Sequence, residues 1–256
     1  MGTKLLVYEL EDLQEEPFGF EVENLTPRDW REISSYVELS EEFIRKYHDK
    51  LDWDALIESG ILNDSLVMDF IQYFKYPFQW ERLIISCENL SNEFLIKFRG
   101  KFEVEPLFEY QKVSAKLLYY LLRESKDRGY IAKLALEYQT ITPQKIKALE
   151  KAGESINWYN LSVNSKLSKS TLKTFTSSLH WNIMMREKEF SEEELLEFQN
   201  FVDWNNASEY QKMSKDFILE HSDKINIERL RLNKKVDQEE LNKHEVYTVL
   251  TLLQTA

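Results

Sequence analysis

The sequence predicts an all-α protein, an α-solenoid of about nine short helix-pair repeats of about 23 residues each with an irregular N-terminal cap. Three observations predict it. Trp158, Trp181 and Trp204 stand 23 residues apart, and the same step separates Trp30 from Trp53 and Trp204 from Ile227. Between them apolar residues recur at i, i+3 and i+4, the period of a helix with one buried face. With only 6 Gly and 5 Pro in 256 residues, the chain has too few turn formers for a sandwich of short strands.

Residues 1–24 lie outside the repeat and read as an acidic cap or arm; as a cap they cover the open apolar face of the first repeat. Thr26-Pro27-Arg28-Asp29 is a helix start: Thr26 accepts from first-turn amides, Pro27 suits the first helical position, and Asp29 closes a capping box. Trp30, Ile33 and Tyr36 then share a face. Ser40 caps a second helix, EEFIRKYHDK, with Phe43, Ile44 and Tyr47 inward, and Asp52 caps the helix opened by Trp53. Each unit therefore reads as helix, short turn, longer helix, short turn. One unit is too small to bury its aromatic face alone, so copies must stack.

Later units keep this frame with local edits. ESGILND is an insertion before Leu66; Val104 stands where tryptophan is expected; the frame blurs over 119–134 and recovers at Ile141-Thr142-Pro143. The expected organisation is a first repeat half at 25–118, an irregular junction with a degenerate repeat at 119–157, and a second half at 158–256 closed by a C-terminal capping helix.

The string LSEEFIRKYHDKLDW (39–53), echoed by MSKDFILEHSDKINI (213–227), resembles uncharacterised helical tandem-repeat proteins of large DNA viruses, phages and bacteria, built on LSxxFIxxFxxx[LIV]DW units. The resemblance covers roughly residues 25–240. It implies a solenoid and a viral or phage origin, and it carries over no catalytic motif.

No apolar run approaches the roughly 20 residues of a membrane span, and the acidic start is unlike a signal peptide. A lone cysteine, Cys87, forbids an internal disulfide and points to a reducing cytoplasm, the host's if the protein is viral. Net charge is −12, and residues 1–60 hold 16 acids against 6 bases, so nearly all the imbalance sits at one end. That placement steers a basic partner and argues against direct binding of nucleic acid.

No glycine-rich phosphate loop, H-E-x-x-H or C-x-x-C occurs, so no catalytic, cofactor-binding or metal residue is nominated and no cofactor is implied. His48, His180 and His221 occupy repeat positions, Cys87 reads as an inert thiol, and the periodic tryptophans read as packing. Two sets of residues are nominated. Glu9, Glu11, Asp12, Glu15, Glu16, Glu21 and Glu23 form a dense acidic contact surface. Arg123, Lys126, Arg128 and Lys133 form an alternative site for an anionic ligand, or else a solvated helix face.

The expected function is a non-enzymatic scaffold that binds a protein. In its sharper form it is a viral inhibitor of a host defence factor with a basic surface. The alternatives are a small-ligand binder or enzyme centred on 119–157, and a self-assembling structural protein.

Overall fold

The computed structural model describes residues 25–36, 39–88, 90–164 and 166–255; the acidic residues Glu9 to Glu23 lie outside them. Among the described residues the protein is all-α. It has 19 α-helices, one 3₁₀ turn at Ile71–Tyr73, and a parallel bridge of two residues from each of β1 (Thr140–Ile141) and β2 (Lys166–Leu167). In chain order the helices fall into nine successive pairs. These are α1 (Pro27–Tyr36) and α2 (Glu41–Lys46), α3 (Trp53–Ser59) and α4 (Asp64–Asp69), and α5 (Pro77–Ser86) and α6 (Asn92–Phe98). Next come α7 (Val104–Tyr110) and α8 (Ala115–Glu124), α9 (Arg128–Tyr138) and α10 (Pro143–Lys151), and α11 (Trp158–Asn164) and α12 (Lys169–Thr174). Then follow α13 (Trp181–Glu187) and α14 (Glu192–Glu197), α15 (Trp204–Tyr210) and α16 (Lys215–Glu220), and α17 (Ile227–Leu230) and α18 (Gln238–Lys243). A last helix, α19 (Val246–Thr255), ends the chain.

The described residues divide into two compact units: those up to Gln139 with Lys151–Glu154, and Thr140–Glu150 with those from Ser155. In the first unit α1, α3, α5, α7 and α9 pack one on the next in a row, and α6 packs on α8. In the second, α11, α13, α15 and α17 form the corresponding row, and α19 packs on α16, α17 and α18.

Most of these helices have six or seven residues, well short of the ~12–15 an isolated helix needs to persist in water. They persist because their ends are capped and their faces are buried. Ser40, Ser91, Ser114, Ser168, Ser191 and Ser214 each cap the second helix of a pair by accepting the amide three residues on. Asp52, Asp203 and Asn226 do the same for first helices. Thr26 and Asp29 form the expected reciprocal box: the Thr26 amide donates to Asp29 Oδ2 at 2.8 Å and the Asp29 amide to Thr26 Oγ1 at 3.4 Å.

Second helices are not the longer member of each pair, as the sequence predicts; most have six residues. EEFIRKYHDK stops being α-helical at Lys46 and closes in a tight turn, where the Lys50 and Leu51 amides both donate to the Tyr47 carbonyl. The indole of Trp53 takes the His48 carbonyl at 2.8 Å, which pulls that oxygen out of any continuing helix. Trp181 and Trp204 repeat the bond five residues back, to Thr176 at 2.9 Å and Gln199 at 3.1 Å.

The tryptophans pack as predicted. Trp30, Trp53, Trp80 and Trp181 are buried, and Trp158 and Trp204 are half-buried. Each of the first five lies against an aromatic ring of its own pair's second helix or of the turn after it. The ring distances are 5.4 Å for Trp30–Tyr47, 4.7 Å for Trp53–Tyr73, 5.0 Å for Trp80–Phe98, 5.1 Å for Trp158–Phe175 and 5.1 Å for Trp181–Phe198. Such contacts contribute about 0.5–1.5 kcal/mol each beyond burial.

A serine four residues after tryptophan ties one pair to the next. Ser34, Ser162 and Ser208 are fully buried, and each donates to the tryptophan carbonyl one turn back at 2.7 Å. Each also accepts the amide 18 residues on, from Asp52, His180 and Asn226, at 2.9–3.0 Å. Ile57, Ile84 and Met185 take this position in other pairs and are buried completely, so the site is either bonded or apolar.

Candidate functional site

The triplet Glu-Tyr-Gln ends three first helices: Glu109-Tyr110-Gln111, Glu137-Tyr138-Gln139 and Glu209-Tyr210-Gln211. Each glutamine caps its own helix and points inward. Gln111 donates to the Ile84 and Cys87 carbonyls at 2.6 and 2.8 Å, closing the end of α5. Gln139 does the same to Phe108 and Gln111 at the end of α7, and Gln211 to Met185 and Lys188 at the end of α13. The amide oxygens of Gln139 and Gln211 accept from Val113 and Phe190 at 3.0 and 2.9 Å. Asn233 continues the series onto Ser208 and Gln211. These carbonyls have no partner within their helices, so each rung satisfies groups that are costly to bury bare.

The first rung is built differently. Gly60 ends α3 at φ +75°, and a Cβ on it would lie 2.5 Å from the Ser86 carbonyl oxygen. Cys87 closes α5 where glutamine stands elsewhere; it is buried, and desolvation pushes its thiol up to about 11.

The glutamate and tyrosine of each triplet face outward. On α15 the chain fills them itself: the Arg229 guanidinium binds Glu209, and the Arg186 guanidinium lies 5.6 Å from the centre of the Tyr210 ring. A hydrogen bond to Glu209 raises the Tyr210 phenol pKa, while Arg186 and Arg229 act in the other direction.

On α7 and α9 no cation among the described residues pairs with the outward groups. Glu105, Glu109 and Glu137 are exposed and make no ion pair among the described residues, and no cation lies over Tyr110 or Tyr138. Tyr110 is 45% exposed and Tyr130 38%, and the Tyr130 hydroxyl donates to Glu105 at 2.9 Å. The Tyr138 phenol is pushed up first by the charge of Glu137, then by desolvation, then by Glu109, Glu105 and Tyr110. The hydrogen bond to Glu105 raises Tyr130 in the same way. This face sets three carboxylates without an ion pair among the described residues beside three phenol rings.

The other acids that bridge pairs of the first unit are mostly neutralised. Arg45 pairs with Asp69 at 2.5 Å and Arg99 with Glu124 at 2.5 Å, and Arg82 binds Glu58. Glu58 and Glu209 hold the same place in their helices as Glu109, five residues after the tryptophan position.

The alternative anionic-ligand residues fall on and between α8 and α9. Arg123 is in the last turn of α8, Lys126 in the following turn, Arg128 opens α9 and donates to the Ala152 carbonyl at 3.0 Å, and Lys133 is exposed five residues on. No hydrogen bond or ion pair joins the four, and α9 sets Arg128 and Lys133 about 140° apart around its axis.

Among the described residues two grooves stand out. One, of about 390 Å³, is lined by Phe74, Tyr76, Trp80, Lys101 and Glu103 among others. The other, of about 750 Å³, runs past the starts of α14, α16 and α18, where Lys235 pairs with Glu189 at 2.9 Å and the Ser214 amide donates to Glu192 at 2.6 Å. In the larger groove Lys215 also pairs with Glu240 at 4.0 Å, so its charged groups are partly engaged with each other. The four anionic-ligand candidates line neither groove.

His48 bonds the Tyr73 hydroxyl at 3.0 Å and stacks on Phe70, His180 stands at the start of α13 without a side-chain capping bond and lies against Tyr159, and His221 lies against Phe217. Among the described residues no group of three or more His, Cys, Asp or Glu is placed to hold a metal ion. No described helix is long and apolar enough to cross a membrane. The glutamine rungs and the tyrosine–carboxylate face escape the repeat consensus; the thrice-written Glu-Tyr-Gln was their signal. No protein-family model, no curated protein and no solved structure matches this chain.

Proposed function

We propose that the chain is a non-enzymatic repeat scaffold, each unit a segment of α-solenoid, that binds a protein. The observation that carries this reading is how the polar side chains are used. At the repeat positions the glutamines, serines and indoles hold one helix pair to the next, and the exposed tyrosines Tyr76, Tyr110 and Tyr130 sit on that braced framework. Exposed tyrosines on rigid helices supply large contact area at small entropic cost. The narrower form, supported by the resemblance of the 39–53 string, is a viral or phage protein that occupies the basic surface of a host defence factor. In that form the acidic residues 1–24 share the contact.

Affinity capture from host cells with the whole chain and with a chain lacking residues 1–24 tests both. A stoichiometric protein partner whose binding is rebuilt from purified components is the expected result. A bound metabolite in its place, with thermal shifts in nucleotides or sugar phosphates, overturns the reading. Self-assembly is a second reading, favoured by Val249, Leu252 and Leu253, which α19 leaves exposed after burying Val246, Tyr247 and Leu250. Sedimentation at high concentration decides it: a persistent monomer removes it.

A further inference from the structure

We propose that the outer face of α7 and α9, centred on Glu109-Tyr110 and Glu137-Tyr138, docks an arginine-bearing segment of a protein partner. This rests on the protein-binding reading above and names the chemistry of one contact.

The chain itself shows what a Glu-Tyr pair at this position takes. Glu209-Tyr210 is occupied by two guanidinium groups, Arg229 on the carboxylate and Arg186 over the ring. The copies on α7 and α9 stand at the same helix end, held by the same inward glutamine, and lack the arginines. Arg229 stands three residues after the Asn226 cap of α17, the helix that follows; the residue three after the Asp127 cap of α9 is Tyr130, which bears no cation and donates to Glu105. Glu105 and Tyr130 extend the face with another carboxylate and ring.

Guanidinium fits this surface better than ammonium. It is planar, stacks on a ring while its edge donates to a carboxylate, and is weakly hydrated. Two pairs on successive helices favour a partner that presents at least two arginines on one extended stretch. The exposed carboxylates Glu105, Glu109 and Glu137 also speed the approach of such a segment.

The probe is a fluorescent peptide of alternating arginine and glycine, titrated into the full chain and followed by anisotropy at physiological salt. Saturable binding is expected. Weakening by about tenfold or more is expected for Tyr110→Ala with Tyr138→Ala and for Glu109→Gln with Glu137→Gln. The lysine version of the peptide binds several-fold more weakly. Glu192→Gln with Glu193→Gln in the second unit leaves binding through this face intact, which separates it from general attraction to an acidic protein. Arg186→Ala with Arg229→Ala uncovers Glu209 and Tyr210 and adds bound peptide per chain.

All six side chains of the variants on α7, α9 and α14 are exposed or half-buried, and circular dichroism confirms the fold. The proposal is overturned if the peptide does not bind, if the tyrosine and glutamate variants bind as the parent does, or if uncovering Glu209 adds nothing. A captured partner that still binds the Tyr110/Tyr138 variant undiminished removes this docking face and leaves the scaffold reading standing; the absence of any protein partner removes the scaffold reading.

Discussion

Gln139 and Gln111 are joined side chain to main chain: the carboxamide of Gln139 donates to the Gln111 carbonyl at 2.8 Å, while Gln111 reaches back to the Cys87 carbonyl at 2.8 Å. Each glutamine seals the helix before it, and the next rung seals its own. The same relation links Asn233 to Gln211 and Gln211 to Lys188 in the second unit.

Gln211→Ala strips the Met185 and Lys188 carbonyls and the Phe190 amide of their partners. Leaving these groups bare costs about 2–4 kcal/mol. Gln211→Glu keeps an acceptor for Phe190 but sets a carboxylate against two carbonyl oxygens, so it is at least as damaging. Urea unfolding gives the magnitude, and faster hydrogen exchange at Phe190 locates it.

Arg45→Ala marks the opposite extreme. Arg45 bonds Asp69 and Ser65 across helix pairs, but its side chain is 38% exposed and that of Asp69 50%. The expected loss is below about 1 kcal/mol and shrinks further in high salt. Equal losses for Arg45→Ala and Gln211→Ala in the same urea series contradict the assignment of cohesion to the buried rungs.

Gly60→Ala forces a side chain into the left-handed region at φ +75° and drives its Cβ to 2.5 Å from the Ser86 oxygen. Strain plus clash costs about 2–3 kcal/mol, and because Ser86 belongs to the next pair, the damage spreads to α5. Gly100→Ala, where a Cβ meets nothing within 4 Å and φ is not positive, is the matched control and is expected to be near neutral in thermal melts.

Cys87 gives a pH dependence of known sign. Its thiol has a folded pKa of about 11, raised by burial from an ordinary value of 9.0. The stabilisation is therefore present in full below pH 9 and is lost as pH climbs from about 9 to about 11, because the unfolded chain releases the proton first. The pair of values corresponds to about 2–3 kcal/mol. Relative to the parent, Cys87→Ala is expected to lose less stability across that window. In the folded protein the thiol reacts with a disulfide reagent at pH 8 only as fast as the site opens, and at once in urea.

Much of this structure is written plainly in the sequence. Serine or aspartate before an apolar run marks the caps at Ser40, Asp52, Ser91 and Ser214, because capping is a local bond between neighbours. Trp30, Trp53, Trp80 and Trp181 announce themselves by period, and they are buried. The glutamine rungs are harder to see. They join residues 23 to 31 positions apart, and the sequence around them varies in spacing from pair to pair. The length of the second helices is hidden for a related reason. EEFIRKYHDK has helical periodicity throughout, but the competing turn is imposed by Trp53, whose indole takes the His48 carbonyl. Of the nominated surfaces, the acidic set from Glu9 to Glu23 lies outside the described residues, while the tyrosine–carboxylate face of α7 and α9 becomes visible only when the arginines of Glu209-Tyr210 are seen in place.

The rungs also have a direction. In the bonds that seal helix ends, the carboxamide N–H comes from the later helix pair and the carbonyls it satisfies belong to the earlier one. A chain emerging from the ribosome therefore carries its newest helix unsealed until one more pair has been made. Removing pairs from the front leaves a surplus amide that water satisfies easily, whereas cutting from the back strands carbonyls at the helix that becomes the end. Shortened versions should tolerate losses at the start better than losses at the finish.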